Sequence, residues 1–318
     1  METKAYACYN QDNVVRDNSS SGGVYSLLAE QVINAGGVVY AACYNEKLDV
    51  VHTRIDKVED IPKSRGSKYV FSSIGKSIQE IKELLEQGIN VMFVGTPCQC
   101  AGVLKVAGEN RDKLLCVDFV CHGVPEQKIW HMYLDALNKR GIDLVDVNMR
   151  CKDTGWSNYN YCWKYTSKDG KTIIEKQKDN PYMKGFVGDF YLRNVCYNCQ
   201  FKGYERLTDI TLADFWGIWD LHPEMDDNKG TSLVMLHTEK GQEYYQKISE
   251  SIVQLEVTKE EAIKNNPSIV KSAVKTDKYD MFNKMISEGK DFITVIERMK
   301  KVSFLTKIKR KIKHVMAK

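Results

Sequence analysis

Over its first 142 residues the chain alternates short apolar runs with amphipathic stretches, and this alternation restricts the fold more than any other feature. Residues 24–35 (VYSLLAEQVINA) space their apolar positions along one helical face, and Gly36-Gly37 stops the helix. Residues 38–44 and 49–55 read as strands joined by a turn at Asn45-Glu46-Lys47. A helix over 74–87, a buried strand at 91–95, a helix near 99–107 and a strand at 114–120 follow. Residues 125–141 predict a further helix, with Pro125 in its first turn and Gly141 as its stop. Helices between apolar strands imply an α/β sheet with parallel pairs.

Beyond about 143 the pattern changes. DVNMRCK, NYNYCWKYTS and, after Asp169-Gly170, KTIIEKQ read as antiparallel strands with a hairpin. Residues 181–206 are irregular and rich in aromatics and cysteine; 209–217 and 231–238 return to strand character, and 239–250 is helical. The expected fold is α/β: a mixed sheet core with flanking helices, an antiparallel β insertion and a C-terminal helical tail. Residues 1–270 should form one catalytic unit of two packed lobes, about 1–142 and 143–270, with a helical region over 271–318.

The N-terminus lacks a basic segment followed by an apolar run, so it does not read as a secretory signal. No stretch approaches the roughly 20 apolar residues that span a bilayer. A cytoplasmic location with reduced thiols is the expectation. The formal net charge of +4 argues against a nucleic-acid binder. Residues 301–318 hold seven Lys/Arg and no acid, with Phe304, Leu305, Ile308, Ile312, Val315 and Met316 on one helical face. Such a segment suits peripheral contact with an anionic membrane or an acidic partner, or packing on its own domain.

In a reducing compartment, clustered cysteines point to metal or redox chemistry more than to disulfides. Four of the ten cysteines have informative settings. Cys98 (VGTPCQ) and Cys121 (DFVCHGVP) each follow a buried strand, where residues of an α/β sheet face a ligand crevice. Cys196 and Cys199 form CYNC in an irregular loop. Four thiolates suit a [4Fe–4S] cluster or a tetrahedral zinc, and the residues alone leave both open. Cys43, Cys116, Cys151 and Cys162 read as packing residues in strands, Cys8 as lying near a mobile terminus, and Cys100 as facing the core.

Two segments suit a phosphate. Asn18-Ser19-Ser20-Ser21-Gly22-Gly23 precedes a helix and exposes backbone N–H groups at its positive end, though a plain Ser/Asn cap reads as well. Arg65-Gly66-Ser67-Lys68-Tyr69 places two cations beside a Gly-Ser turn. Asp214-Phe215-Trp216-Gly217 ends a strand with an acid and two aromatics, able to pack a flavin ring or simply a core. His122 could donate to a cluster or flavin, or be a structural histidine.

In this order, SSSGGVYSLLAE, RGSKYV, VGTPCQ, DFVCHGVP, NPYMKGF, CYNCQFKG and ITLADFWG resemble the beta subunit family of coenzyme F-420-reducing hydrogenases and dehydrogenases. The resemblance runs from about residue 16 to 250. It implies an iron–sulfur flavoprotein oxidoreductase with FAD and one [4Fe–4S] cluster, passing electrons between the cluster and a hydride carrier. That carrier would be a deazaflavin such as coenzyme F-420, NAD(P)H or a small-molecule substrate. Carried over by position, Cys98, Cys121, Cys196 and Cys199 match the cluster cysteines. Ser20, Ser21, Gly22, Gly23, Arg65, Ser67, Lys68, Tyr69 and the Thr96 turn match regions expected to line the flavin site, with Asp214, Phe215 and Trp216 added on their chemistry. No catalytic acid or base is singled out. Many relatives carry an N-terminal ferredoxin-like segment before the point where this resemblance starts, so a ferredoxin or partner redox subunit is the expected electron partner. Two rivals remain: a metal-stabilised scaffold protein of a surface-polysaccharide pathway, and a flavin-dependent reductase of a modified sugar.

Overall fold

A computed structural model describes residues 2–299. Eleven strands are present among them: β1 (Lys4–Asn10), β2 (Val38–Tyr44), β3 (Val50–Ile55), β4 (Val91–Gly95), β5 (Leu114–Phe119), β6 (Leu144–Cys151), β7 (Cys162–Ser167), β8 (Thr172–Lys176), β9 (Ile210–Asp214), β10 (Ser232–Leu236) and β11 (Ile252–Val257). Eight form one sheet in the order β11-β1-β10-β9-β5-β4-β2-β3, and β6-β7-β8 form a second. The centre of the large sheet is parallel (β2-β4, β4-β5, β5-β9), and both edges are antiparallel. This is the expected mixed α/β sheet with an antiparallel insertion. The apolar runs at 91–95 and 114–120 are its buried interior strands, as continuous apolar runs should be.

Helices cover both faces. Val24–Asn34 buries Leu28, Ala29 and Val32 against Val39, Met92 and Val117. On the other face Ser77–Glu86 and Pro97–Ala107 pack Ile81, Leu85 and Val103 against Tyr40, Phe93 and Cys116. A third core joins the helix Gln127–Asn138 to the small sheet through Trp130, Tyr133, Trp163 and Tyr182, and Phe282, Phe292 and Ile296 from the C-terminal region pack into it.

Two expectations need correction, and one strand was not anticipated. Residues 4–10 form a strand that the apolar pattern does not announce, because KAYACYN alternates small residues rather than bulky ones; Ala5 and Ala7 are nonetheless buried between β10 and β11. Cys8, expected near a mobile terminus, is therefore fully buried in a paired strand. Cys151 and Cys162, expected as separate packing residues, face each other across β6 and β7 and form a disulfide. Among the described residues no helix is long and apolar enough to cross a membrane. The basic segment 301–318 lies outside the described residues.

Candidate functional site

A cavity of about 430 Å³ opens where the C-terminal ends of β4, β5 and β9 meet the small sheet. That volume is in the range of small-molecule and cofactor sites. Strand ends of an open α/β sheet are where such a site is expected.

One wall is polar and internally bonded. Ser20 Oγ accepts from the Ser67 backbone N–H at 2.7 Å and from Ser67 Oγ at 3.0 Å, tying the serine turn to the Arg65–Tyr69 loop. Gly23 takes a left-handed φ of +84° as the cap of Val24–Asn34. Lys68 is half-buried; its ammonium donates to the carbonyls of Ser64, Arg65 and Gly66, and desolvation lowers its pKa to about 8. Lys68 thus closes its own loop rather than pointing a free charge at a ligand. Arg65 Nε donates to Ser26 Oγ at 2.8 Å.

The small sheet supplies the next wall. Arg150, 3% exposed, pairs bidentately with Asp214 at 2.8 and 2.9 Å. It also donates to Tyr69 Oη and to the Ser20 carbonyl, both at 3.1 Å. Its guanidinium lies 4.0 Å from the Tyr161 ring centroid and 5.0 Å from that of Trp216, which suits cation–π contact. Lys152 donates to the carbonyls of Arg16 and Ser21 at 2.6 Å each, and burial, reinforced by Arg16 and Arg150, lowers its pKa to about 7. One strand end therefore grips the serine turn at two points.

Cysteines close the third side: Cys121 lines the cavity, and Cys98, Cys196 and Cys199 lie beyond it, outside its lining residues. Cys98 is the second residue of the helix Pro97–Ala107, capped by Thr96, whose Oγ1 lies 3.1 Å from Cys98 Sγ. Burial pushes the Cys121 thiol up to about 12; Lys202 opposes this, while Cys196, Cys98 and Cys199 are near enough to push it further. The turn after Cys121 packs directly on the CYNC loop, since a Cβ at Gly123 would sit 2.8 Å from Leu192 Cδ1 and 3.2 Å from Cys196 Cβ. The four thiols thus share one region, with Cys98 exposed and the other three half-buried. Among the described residues, no three His, Cys, Asp or Glu side chains converge closely enough to hold one metal ion. Cys100, on the same helix as Cys98, is fully buried against the Val117 carbonyl and points away. His122 also lines the cavity and meets Asp189 at 2.6 Å.

The cavity brings together Ser20, Ser21, Gly23, Arg65, Ser67, Lys68, Tyr69, Thr96, Asp214 and Trp216. Gly22 and Phe215 stand behind its walls. A Cβ at Gly22 would lie 2.4 Å from the Cys8 carbonyl oxygen, and Phe215 is fully buried with Trp156 and Leu233. Sequence reasoning missed Arg150, Tyr161, His52 and the turn 265–268, which also line it. The signal for Arg150 was an arginine inside the strand pattern VNMRC, since a cation there must be paired.

The residues fit the expected groups. Arg150 Nε and Asn266 Nδ2 are buried, belong to cavity-lining residues and have no hydrogen-bond partner among the described residues. Buried donors left unpaired are costly, so a ligand carrying acceptors suits them. Four cysteines without a histidine or acid suit an iron–sulfur centre.

Two family models match the chain, and both describe the beta subunit of coenzyme F420 hydrogenase/dehydrogenase: the model of its N-terminal part over residues 5–79, and that of its C-terminal part over residues 89–262. No curated protein shows significant similarity. Among solved structures, the chain is similar to one from the xenon-derivatised F420-reducing [NiFe] hydrogenase complex of Methanosarcina barkeri. The identity is 17%, the match covers 83% of this chain and 89% of that one, and the TM-score is 0.55, which shows a shared fold. With both family models matched in order along one continuous fold, the chain belongs to the coenzyme F420 hydrogenase/dehydrogenase beta subunit family of oxidoreductases.

Proposed function

We propose that this oxidoreductase passes electrons between a [4Fe–4S] cluster held by Cys98, Cys121, Cys196 and Cys199 and a hydride carrier or small substrate, through FAD bound in the cavity. The observation that carries this reading is that Cys121 lines the same cavity as the Ser20–Ser67 and Arg150–Asp214 walls. When bound, FAD supplies exchange between two-electron hydride chemistry and single electrons, and the cluster supplies one-electron transfer.

The chain's own work is binding, positioning and exclusion of water. The Arg65 guanidinium, held through Nε by Ser26, offers positive charge to a pyrophosphate, and the serine turn at the start of Val24–Asn34 offers backbone N–H groups. Arg150 is held by Asp214 and by the Tyr161 and Trp216 rings, and its remaining N–H offers a fixed donor to a flavin edge. Met183, Phe186 and Val124 line the apolar part of the cavity. A redox partner, a ferredoxin or a further subunit, would exchange single electrons, and a deazaflavin, NAD(P)H or a small substrate would exchange hydride.

Anaerobic reconstitution of wild type and Cys196→Ser tests the reading. Wild type should hold flavin and iron together, and the variant should keep flavin while losing most of its iron. Unchanged iron in Cys196→Ser would show that the ligand set is wrong.

A further inference from the structure

The cysteine wall differs from the rest of the cavity in what lies outside it. Two loops pack on each other there. The Cys199 backbone N–H donates to Ser272 Oγ at 3.0 Å, and Gly203 N–H to the Ile269 carbonyl at 2.8 Å. Lys275 Nζ reaches Asn194 Oδ1 at 3.0 Å, and Lys202 Nζ bonds the carbonyls of Cys121 and Ser268. The joined surface of residues 193–203 and 267–275 has two properties. It exposes apolar side chains: Val195 and Val274 are each 65% exposed, and Phe201 and Val270 are also open to solvent. It also carries Arg193, Lys202, Lys271 and Lys275 and no carboxylate of its own; the acid that packs against it, Asp189, accepts from the Val274 N–H at 3.3 Å and is paired with His122.

Isolated exposed apolar residues need no explanation, but a group of four around half-buried thiols, set among cations, marks an interaction surface. Lys202 is half-buried and turned toward the Cys121 carbonyl, so it serves the cysteine centre itself. Lys271 and Lys275 are exposed and face outward. Their charge selects a partner bearing carboxylates, and the apolar patch provides short-range contact once it arrives.

We infer that the surface formed by residues 193–203 and 267–275 is the docking face for a small acidic single-electron carrier of the ferredoxin class. The inference rests on the proposed cluster and deepens it by naming where its electrons enter or leave. With a cluster bound by the four cysteines, each productive encounter would move one electron: the carrier would be oxidised by one and the cluster reduced by one, with no bond or proton changing hands. Such contacts are small and transient, and steering by charge sets their rate.

The test uses the full-length, reconstituted protein with a plant-type ferredoxin as the acidic carrier and cytochrome c as a basic one. Dissociation constants come from isothermal titration, and electron exchange from stopped-flow absorbance. Lys271→Glu/Lys275→Glu should weaken ferredoxin binding about tenfold at low ionic strength, and the gap should close as salt screens the charges. Lys168→Glu/Lys171→Glu, on the hairpin of the small sheet, should bind like wild type. Cytochrome c should bind more weakly than ferredoxin to wild type. Equal ferredoxin affinity in the Lys271/Lys275 variant, equal preference for the basic carrier, or wild-type dimerisation that this variant abolishes would each overturn the inference. A wild-type protein that lacked iron and flavin yet bound ferredoxin through these lysines would instead defeat the proposed function and leave the docking face standing.

Discussion

The polar and cysteine walls of the cavity are built on opposite plans. On the polar wall nearly every hydrogen-bonding group already has a protein partner. Ser20 accepts from Ser67, Lys68 fills three carbonyls, Lys152 fills two more, and Arg150 is pinned by Asp214. On the cysteine wall the backbone is fixed, through Cys199 to Ser272 and Lys202 to Cys121, but the thiols make few bonds of their own. The first plan suits a ligand recognised by shape and a few donors, because groups already paired are fixed before it arrives. The second suits a centre bound through the sulfurs themselves, whose energy comes from metal–thiolate bonds made when it is inserted.

The largest effect should come from the cysteine wall. Replacing either Cys121 or Cys199 by Ser should remove most of the bound iron and its broad visible absorbance while leaving the polar wall able to hold flavin. Loss of flavin and iron in equal measure would mean that the two walls fold as one unit rather than as separate sites. Next in size is Arg150→Met. It removes charge-assisted donors and leaves Asp214 unpaired, so flavin affinity should drop by about tenfold to a hundredfold, and stability by about 3 kcal/mol. A flavin dissociation constant within twofold of wild type would show that Arg150 is only a structural tie between the sheets.

A pH effect follows from His52, whose Nδ1 meets Ser72 Oγ at 2.8 Å and whose Nε2 meets the Val94 carbonyl at 3.0 Å. Burial lowers its pKa to about 4. The folded protein therefore resists a proton that the unfolded chain takes up near 6.5, so this contribution is intact above pH 6.5 and is lost as the pH falls toward 4. The loss should reach up to about 3 kcal/mol of unfolding free energy, read by urea titration. His52→Asn should flatten the curve over that interval; an equally steep variant would assign the acid lability elsewhere. The smallest effect is expected for Ser20→Ala. It removes one hydroxyl between the serine turn and the Arg65–Tyr69 loop, for about 1 kcal/mol or less and a few-fold change in flavin affinity.

The parallel centre of the sheet was legible because buried strands and covering helices have different apolar periods, and the runs at 91–95 and 114–120 fell within a residue of their observed ends. The edges were less so. Strand β1 is built on Ala5 and Ala7, whose burial comes from the cluster that covers this face of the sheet, with Phe215, Ile218 and Ala262, rather than from side-chain bulk. At the site, motifs near turns were readable, since Ser, Gly and Cys at strand ends have few structural uses. Arg150 was not, because its role depends on Asp214, 64 residues away in sequence, and on a sheet that places the two side by side. The disulfide between Cys151 and Cys162 was hidden for a similar reason, as only the register of β6 on β7 makes them neighbours. Gly22 and Phe215 show the converse: adjacent in sequence to cavity residues, they serve the packing behind it.

The most direct test of the two-wall account is a single anaerobic preparation of the wild-type chain, examined by UV–visible and EPR spectroscopy with iron, zinc and flavin quantified together. The account predicts one FAD and one [4Fe–4S] cluster per chain, an EPR signal on reduction by dithionite, and both centres reduced when a hydride donor is supplied. A protein with no flavin absorbance and less than half a cluster's worth of iron, or with stoichiometric zinc in its place, would contradict it.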